Sequence, residues 1–456
     1  RYSFPVHYGG NMSPFIVLLL VLSSIVLMVL LTSKFKCNIF LSMFLVSLLL
    51  GIAALPTADV IPAIKDGFGG TMKSIGVIIV LGIMIGLLLE KTGATVSMAL
   101  AILRLTGKKR ADLSIGITGF VTGIPIFCDS GFIVLSGLNK SLVKRTGKPM
   151  VYMATLLAIG LYSVHCLVPP HPGALAAVGL MKTNVGQLIG LGLLIAVPGA
   201  LAGFAWARWM CRHETFAEPA ESEAEEPMPF DGQKLPPTFL SFLPILIPVG
   251  LLSLRSILML RPAQSGSLLE KTLLFLGYPE VALLIGVGLA MTLCRRMAPG
   301  SLNDLFDKAI EKSGPILVLT GAGGIFGAVI KATGVGEYAG AHLASTGLGL
   351  FIPFLMAAFL KTALGSSTVA IMTAASIIAP MLGALHLESE TGRLLATLAM
   401  GAGSMIVSHA NDSYFWVVTR FSDLSPSQTL RVFTTSTLVT GITVFLTVLL
   451  CSRFLL

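Results

Sequence analysis

The sequence predicts an all-α polytopic membrane protein with two inverted-topology repeats of about five transmembrane helices. Each repeat is expected to carry one re-entrant hairpin and one broken helix, the arrangement of an elevator-type transporter. Composition is the first observation behind this reading. Of 456 residues, 54% are hydrophobic and 12% charged, with a mean hydropathy of +0.88, which lies outside the range of soluble domains. The second is internal repetition. Gly82, Gly86, Thr92 and Gly93 fall on Gly323, Gly327, Thr333 and Gly334 at a constant offset of 241 residues. Held at that offset, Pro125–Ser130 falls on Ser366–Ile371, and Leu167–Pro172 on Ser408–Ser413. The third is charge. With the N-terminus outside, 20 of the 31 Lys and Arg residues fall on the cytoplasmic side, with Lys108-Lys109-Arg110 as the densest cluster. An odd number of spans per half then turns the second half upside down.

The elements follow in order. Residues 1–11 read as an extension ahead of Met12, a start-site artefact. No small-residue cleavage site precedes Lys34 and Lys36, so the first apolar stretch is expected to remain as a helix. Spans are placed near 14–33, 38–55, 73–90, 149–181 (interrupted) and 186–210. The second half gives 239–260, 274–294, 314–331, 391–421 (interrupted) and 427–452. Two further apolar stretches, 111–145 and 346–387, have polar or Gly-rich centres and arms too short to cross. They suit re-entrant hairpins. The repeats are thus 12–211 and 238–456, joined by an acidic cytoplasmic linker at 212–237 with Glu214, Glu218, Glu221, Glu223, Glu225, Glu226 and Asp231.

Other classes lose support at this level. The net charge of +9 resides in short loops between apolar spans and orients the chain, so no nucleic-acid partner is expected. No phosphate-binding loop follows a strand, so an ATP-driven pump is not expected. The six cysteines lack metal-type spacing and read as small packing residues, so no metal is expected. A channel would not need two interrupted halves, and an enzyme would need a nucleophile–base set that is not visible.

The first hairpin tip is Gly119–Gly131. Pro125 removes a backbone donor and ends the incoming helix. Freed amides at Asp129, Ser130 and Gly131 then form an anion-binding helix start. Asp129 is an acid deep in an apolar stretch. It is to be paired, solvated or protonated, and it reads as a proton or hydroxyl ligand, as a helix cap, or as both. The fourth span breaks at Pro169, Pro170 and Pro172, with His165 and His171 flanking the break as candidate ligand or proton groups.

In the second half, Gly365 permits a turn, and Ser366, Ser367 and Thr368 offer hydroxyls where a new helix begins. The matching break carries Ser408-His409-Ala410-Asn411-Asp412-Ser413, in which Asn411, Asp412 and Ser413 are substrate candidates. Lys361 is an isolated cation beside the tip. It is available to a substrate carboxylate, to an acid such as Asp412, or to the membrane interface.

His165-Cys-Leu-Val-Pro-Pro-His-Pro172, the Phe127-Cys-Asp-Ser-Gly131 tip and Ser408–Ser413 together resemble the gluconate permease (GntP) family of sugar-acid:proton symporters, over the chain from about residue 14 onward. The family's first tip carries a glutamate where this chain has the shorter Asp129. The resemblance implies a homodimer in the bacterial cytoplasmic (inner) membrane. A transport unit of hairpins and broken helices would move against a scaffold. The substrate would be gluconate or a related aldonate such as glycerate, with D-serine-type acids as the alternative. The proton gradient would supply the energy, with no cofactor, and Asp129, His165, His171 and Asp412 would be the proton-coupling candidates. Sodium coupling, as in dicarboxylate relatives, is the other option.

Overall fold

The computed structural model describes residues 13–106, 111–213, 234–259, 267–294, 300–335, 349–410 and 412–455. Among them no strand occurs. Asn411, residues 1–11 and nearly all of the acidic linker lie outside the described residues.

The first half runs α1 (Pro14–Val29), α2 (Ile39–Ala54), α3 (Thr57–Lys91), α4 (Ala94–Thr106), α5 (Ala111–Gly123), α6 (Cys128–Thr146), α7 (Met150–His165), α8 (Pro172–Met181) and α9 (Val185–His213). The second runs α10 (Thr238–Met259), α11 (Leu268–Leu276), α12 (Pro279–Leu293), α13 (Ser301–Ala332), α14 (Phe351–Leu364), α15 (Ser367–Ile378), α16 (Glu390–Met405), α17 (Ser413–Phe421) and α18 (Thr435–Leu455). Local chemistry sets many of these limits. Ser13 caps α1 with Pro14 at its first position, and the Asn38 carboxamide caps α2 by accepting from the Leu41 amide at 3.2 Å.

Five described stretches are long and apolar enough to cross a membrane alone: Thr57–Lys91, Val185–Arg212, Thr238–Arg255, Ser301–Ala332 and Pro426–Leu455. The pair α11–α12, bent by 72° at Gly277-Tyr278, adds a broken one. The sequence placed single spans at 274–294, 73–90 and 314–331. α3 and α13 begin well before those limits because their early turns are amphipathic, not uniformly apolar. Val60, Ile64, Gly67 and Thr71 are buried on one face of α3 while Lys65 and Asp66 stay exposed. Helix α4 lies between the span expected at 73–90 and the apolar stretch at 111–145, where the sequence predicts no element. Its first turns, Ala94 to Ala99, are buried, and Ser97 donates to the Pro236 carbonyl at 2.8 Å.

The two halves make corresponding helix pairs. α3 packs along α13, and α9 along α18. α5 packs on α7 as α14 packs on α16. Across the halves, α8 meets α15 and α17 meets α6, while α12 lies on α3 and α2 on α13. Every residue of α7 is buried, as are nearly all of α16. An α-helix apolar all round belongs inside a bundle. Large apolar side chains instead project outward from α1 (Phe15, Leu19, Leu22, Val26), α2 (Leu41, Leu45, Leu49, Ile52) and α18 (Leu446, Leu450). Their three-to-four-residue spacing gives continuous greasy stripes of the kind a bilayer covers.

Candidate functional site

Both hairpins and both breaks form where Pro and Gly interrupt the chain. Helix α5 stops at Gly123, and α6 starts at Cys128 behind a Phe127 cap residue that makes no side-chain cap bond. Asp129 sits in the first turn of α6 and does not cap it, so the capping role is corrected. Its Oδ1 is buried without a hydrogen-bond partner. Ser130 is half-buried beside it. The Gly131 amide is not freed as expected but donates to the Phe127 carbonyl at 2.8 Å, because Gly131 is the first residue of α6 that finds an intrahelical acceptor. Gly131 packs so closely on Leu161 that an added Cβ would lie 2.7 Å from Cδ2.

The first break joins α7 to α8 through a cis Pro169–Pro170 peptide. His171 Nε2 lies 2.7 Å from the Gly123 carbonyl at the hairpin end, and His171 Nδ1 lies 3.1 Å from His165 Nδ1. These contacts settle the tautomers. A carbonyl only accepts, so Nε2 of His171 carries the proton; in the neutral ring Nδ1 then accepts, and His165 Nδ1 donates. His165 Nε2 is left as a bare acceptor. The break therefore uses one histidine to satisfy a hairpin carbonyl and presents the basic nitrogen of the other.

On the second side, α14 ends at Gly365, held at φ +81°, a left-handed conformation suited to glycine. Ser366 is the N-cap of α15, its hydroxyl accepting from the Val369 amide at 3.3 Å. Ser367 is buried, its hydroxyl beside Tyr162 and Cys166. Thr368 backs onto Gly173 of α8.

Lys361 turns inward. Its Nζ lies 2.5 Å from the Gly365 carbonyl and 2.5 Å from Asp412 Oδ2. Asp412 also accepts from the Ser408 hydroxyl at 2.5 Å and, through Oδ1, from the Tyr414 amide at 3.1 Å. The carboxylate is thus occupied on both oxygens and caps α17. The broken backbone at Ser408 is met from α18 and the turn before it. Thr434 donates to the Ser408 carbonyl at 2.5 Å, and the Ser408 amide donates to Thr437 Oγ1 at 3.2 Å. Ser413 is exposed at the first turn of α17.

Sequence reasoning missed Tyr162 and Tyr414, which tie the parts together. The rings stack with centroids 5.4 Å apart; Tyr162 donates to the Ser404 carbonyl at 3.2 Å and Tyr414 to the Ala158 carbonyl at 3.0 Å. Lys361 Nζ lies 5.7 Å above the Tyr162 ring, which also stacks on His165. Phe127 closes the other side, 6.4 and 6.3 Å from the two histidine rings. Asp129 lies within electrostatic reach of Lys361 and Asp412. One assembly therefore holds a fixed cation–carboxylate pair, a bare imidazole nitrogen, an unpartnered carboxylate oxygen and the N-terminal ends of α6, α8, α15 and α17.

The helix breaks rest against the third helix of the first half. A Cβ on Gly82 would lie 2.7 Å from Pro170 Cβ, and one on Gly86 would lie 2.7 Å from the Pro125 carbonyl. The glycines 241 residues further along the chain touch something else. Gly323 and Gly327 abut Ser376 of α15, its Oγ at 2.8 Å and carbonyl at 2.9 Å from the respective added Cβ atoms.

A family model described as GntP family permease matches residues 16–454. A gluconate permease of Pseudomonas aeruginosa is 32% identical over 443 residues, covering 95% of this chain and 97% of that protein. The Gnt-II system L-idonate transporter of Escherichia coli K12 is 30% identical and covers 91% and 94%. The D-serine transporter DsdX of Escherichia coli O6:H1 is 30% identical and covers 92% and 95%. The crystal structure of the YdaH transporter of Alcanivorax borkumensis, described as having an unusual topology, is similar with a TM-score of 0.66 at 16% identity, over 91% of this chain and 98% of that one. The chain is a multi-pass membrane transporter, not an enzyme, and it belongs to the GntP family of permeases.

Proposed function

We propose that the protein imports a small hydroxy-carboxylate, gluconate or a related aldonate, together with protons. The observation that carries this reading is the buried, unpartnered Oδ1 of Asp129 at the first hairpin tip, within electrostatic reach of the Lys361–Asp412 pair. Lys361 is already neutralised by Asp412, so the substrate carboxylate is received by helix N-terminal amides around Ser130, Ser367 and Thr368. Its hydroxyls donate to Asp129 and to His165 Nε2. A carboxylate arriving beside an ionised Asp129 would add a second uncompensated negative charge to an apolar region. A proton on Asp129 removes that cost, which couples the two fluxes.

Inverted repeats then supply alternating access. The offset of 241 residues pairs Gly86 with Gly327 and Pro125 with Ser366. Pro125 sits on Gly86, yet Gly327 meets Ser376, ten residues beyond Ser366 along α15. Ten helical residues amount to about 15 Å. In the mirrored state Gly323 and Gly327 receive the second break and tip, and Leu135 of α6 takes the place against Gly82 and Gly86. Gly82 and Gly86 lie near the Lys91 end of α3, the cytoplasmic end by charge, so the observed state is the inward one.

The deciding experiment is uptake into proteoliposomes under an inward proton gradient without sodium. Labelled gluconate is followed against glycerate, threonate, erythronate and D-serine. Accumulation that a protonophore abolishes is expected. Accumulation only after sodium is added replaces the proton by sodium, and accumulation of D-serine alone replaces the substrate class.

A further inference from the structure

We infer that the protein holds a second anion site, a capture vestibule for small carboxylates at the mouth away from the Lys91 end of α3. This rests on the proposed reading that the cargo is an organic anion. A cavity of about 690 Å³ opens where the Lys73 region of α3 and the Lys331 end of α13 face the ends of α8, α15 and α16. Four cations from four elements line it: Lys73, Lys182, Lys331 and Arg393. Glu388 is its single acid, and that residue's backbone carbonyl takes the Arg393 Nε–H at 2.8 Å. Among the described residues no carboxylate forms an ion pair with any of the four.

Two features argue against an incidental cluster. Orientation signals deplete Lys and Arg on the outer side, yet four converge on one outer cavity. Lys182 also terminates α8 with φ +55°, a left-handed position that glycine or asparagine fills with less strain. Retaining a lysine there keeps a cation at the rim. Gly327 and Ser376 form part of the floor, so the cavity stands above the seam between α13 and α15. A low-dielectric concavity lined by one sign of charge concentrates the opposite ion and raises its rate of encounter. An acid gathered here stands where the raised hairpin tips would open.

The test uses the full-length protein in phosphatidylcholine vesicles, with Cys37→Ser to remove the exposed thiol and Ser74→Cys to place one in the cavity. Sulfonatoethyl and trimethylammonioethyl methanethiosulfonates are compared as reagents. The anionic reagent is expected to react about tenfold faster at low salt, and Lys73→Gln/Lys182→Gln/Lys331→Gln removes the preference. In parallel, gluconate uptake at low concentration falls about fivefold in the triple variant and loses most of its salt dependence. The maximal rate of gluconate uptake stays unchanged. Where the triple variant does not fold, Lys182→Gly, which relieves the backbone, carries the same readouts at smaller amplitude. Equal reaction rates for the two reagents overturn the vestibule. So does a preference lost only when phosphatidylglycerol is added, which makes the cavity a lipid site. Charge preference without any acid uptake keeps the vestibule and overturns the proposed cargo.

Discussion

Lys361 Nζ stands 2.5 Å from Asp412 Oδ2, with 0% and 5% of the two side chains exposed. Each charge is held by a different interruption: Lys361 precedes the Gly365 turn and Asp412 follows the Ser408 break. Removing one partner leaves the other charged and buried, which costs about 3–5 kcal/mol. Lys361→Met and Asp412→Asn are each expected to lower the thermal unfolding midpoint in detergent sharply. The double substitution should lose much less than the sum, because it strands no charge. Additive losses would show that the pair is not a unit.

Asp129 gives the opposite expectation. Its Oδ1 has no partner to lose, so Asp129→Asn should leave stability within about 0.5 kcal/mol. Concentrative uptake should disappear while exchange of labelled for unlabelled substrate persists, since the neutral amide imitates the protonated acid but cannot release a proton. Asp129→Glu retains coupling with an altered affinity. Loss of exchange in Asp129→Asn, with folding intact, would show that the ionised carboxylate is needed for translocation itself and would overturn the proton-release role.

The interruptions were legible in the sequence because proline and glycine act on their own backbone. Pro125, the Pro169-Pro170 pair and Gly365 mark the breaks whatever surrounds them. Lys361 and Asp412 were legible only as two isolated charges in apolar stretches. Side chains 51 residues apart in sequence had to be placed before pairing replaced the other possibilities. Tyr162 and Tyr414 were not legible, since their partners are backbone carbonyls at Ser404 and Ala158, and any residue type supplies a carbonyl. The early turns of α3 and α13 were missed for a different reason. Their charges lower average hydropathy, although one face is as buried as the rest of the helix.

The histidine pair separates a structural from a binding role. His171→Phe strips the donor from the Gly123 carbonyl, and an unpaired buried acceptor costs about 1–3 kcal/mol. His165→Gln still offers an N–H toward His171 but removes the bare imidazole nitrogen. Stability is therefore expected to fall for His171→Phe and to hold for His165→Gln, whereas KM for gluconate rises severalfold in His165→Gln with little change in maximal rate. Equal thermal shifts in the two variants would refute the assigned tautomers.

The asymmetric glycine contacts set a mechanical test. A Cβ built on Gly323 comes within 2.8 Å of Ser376 Oγ, so Gly323→Cys/Ser376→Cys places two thiols within bonding reach in the observed state. Mild oxidation should join them and stop uptake, and a thiol reductant should restore it. Gly327→Cys/Ser366→Cys lies about 15 Å out of register here. It is expected to cross-link only when the hairpin unit has risen, so bond formation should accelerate under conditions that drive outward return. A hairpin unit fixed against α13 would never form the second bond. A unit that tilts without sliding would break the first contact without making the second. Formation of both bonds in one population, each in its own state, is the outcome that a displacement along α13 requires.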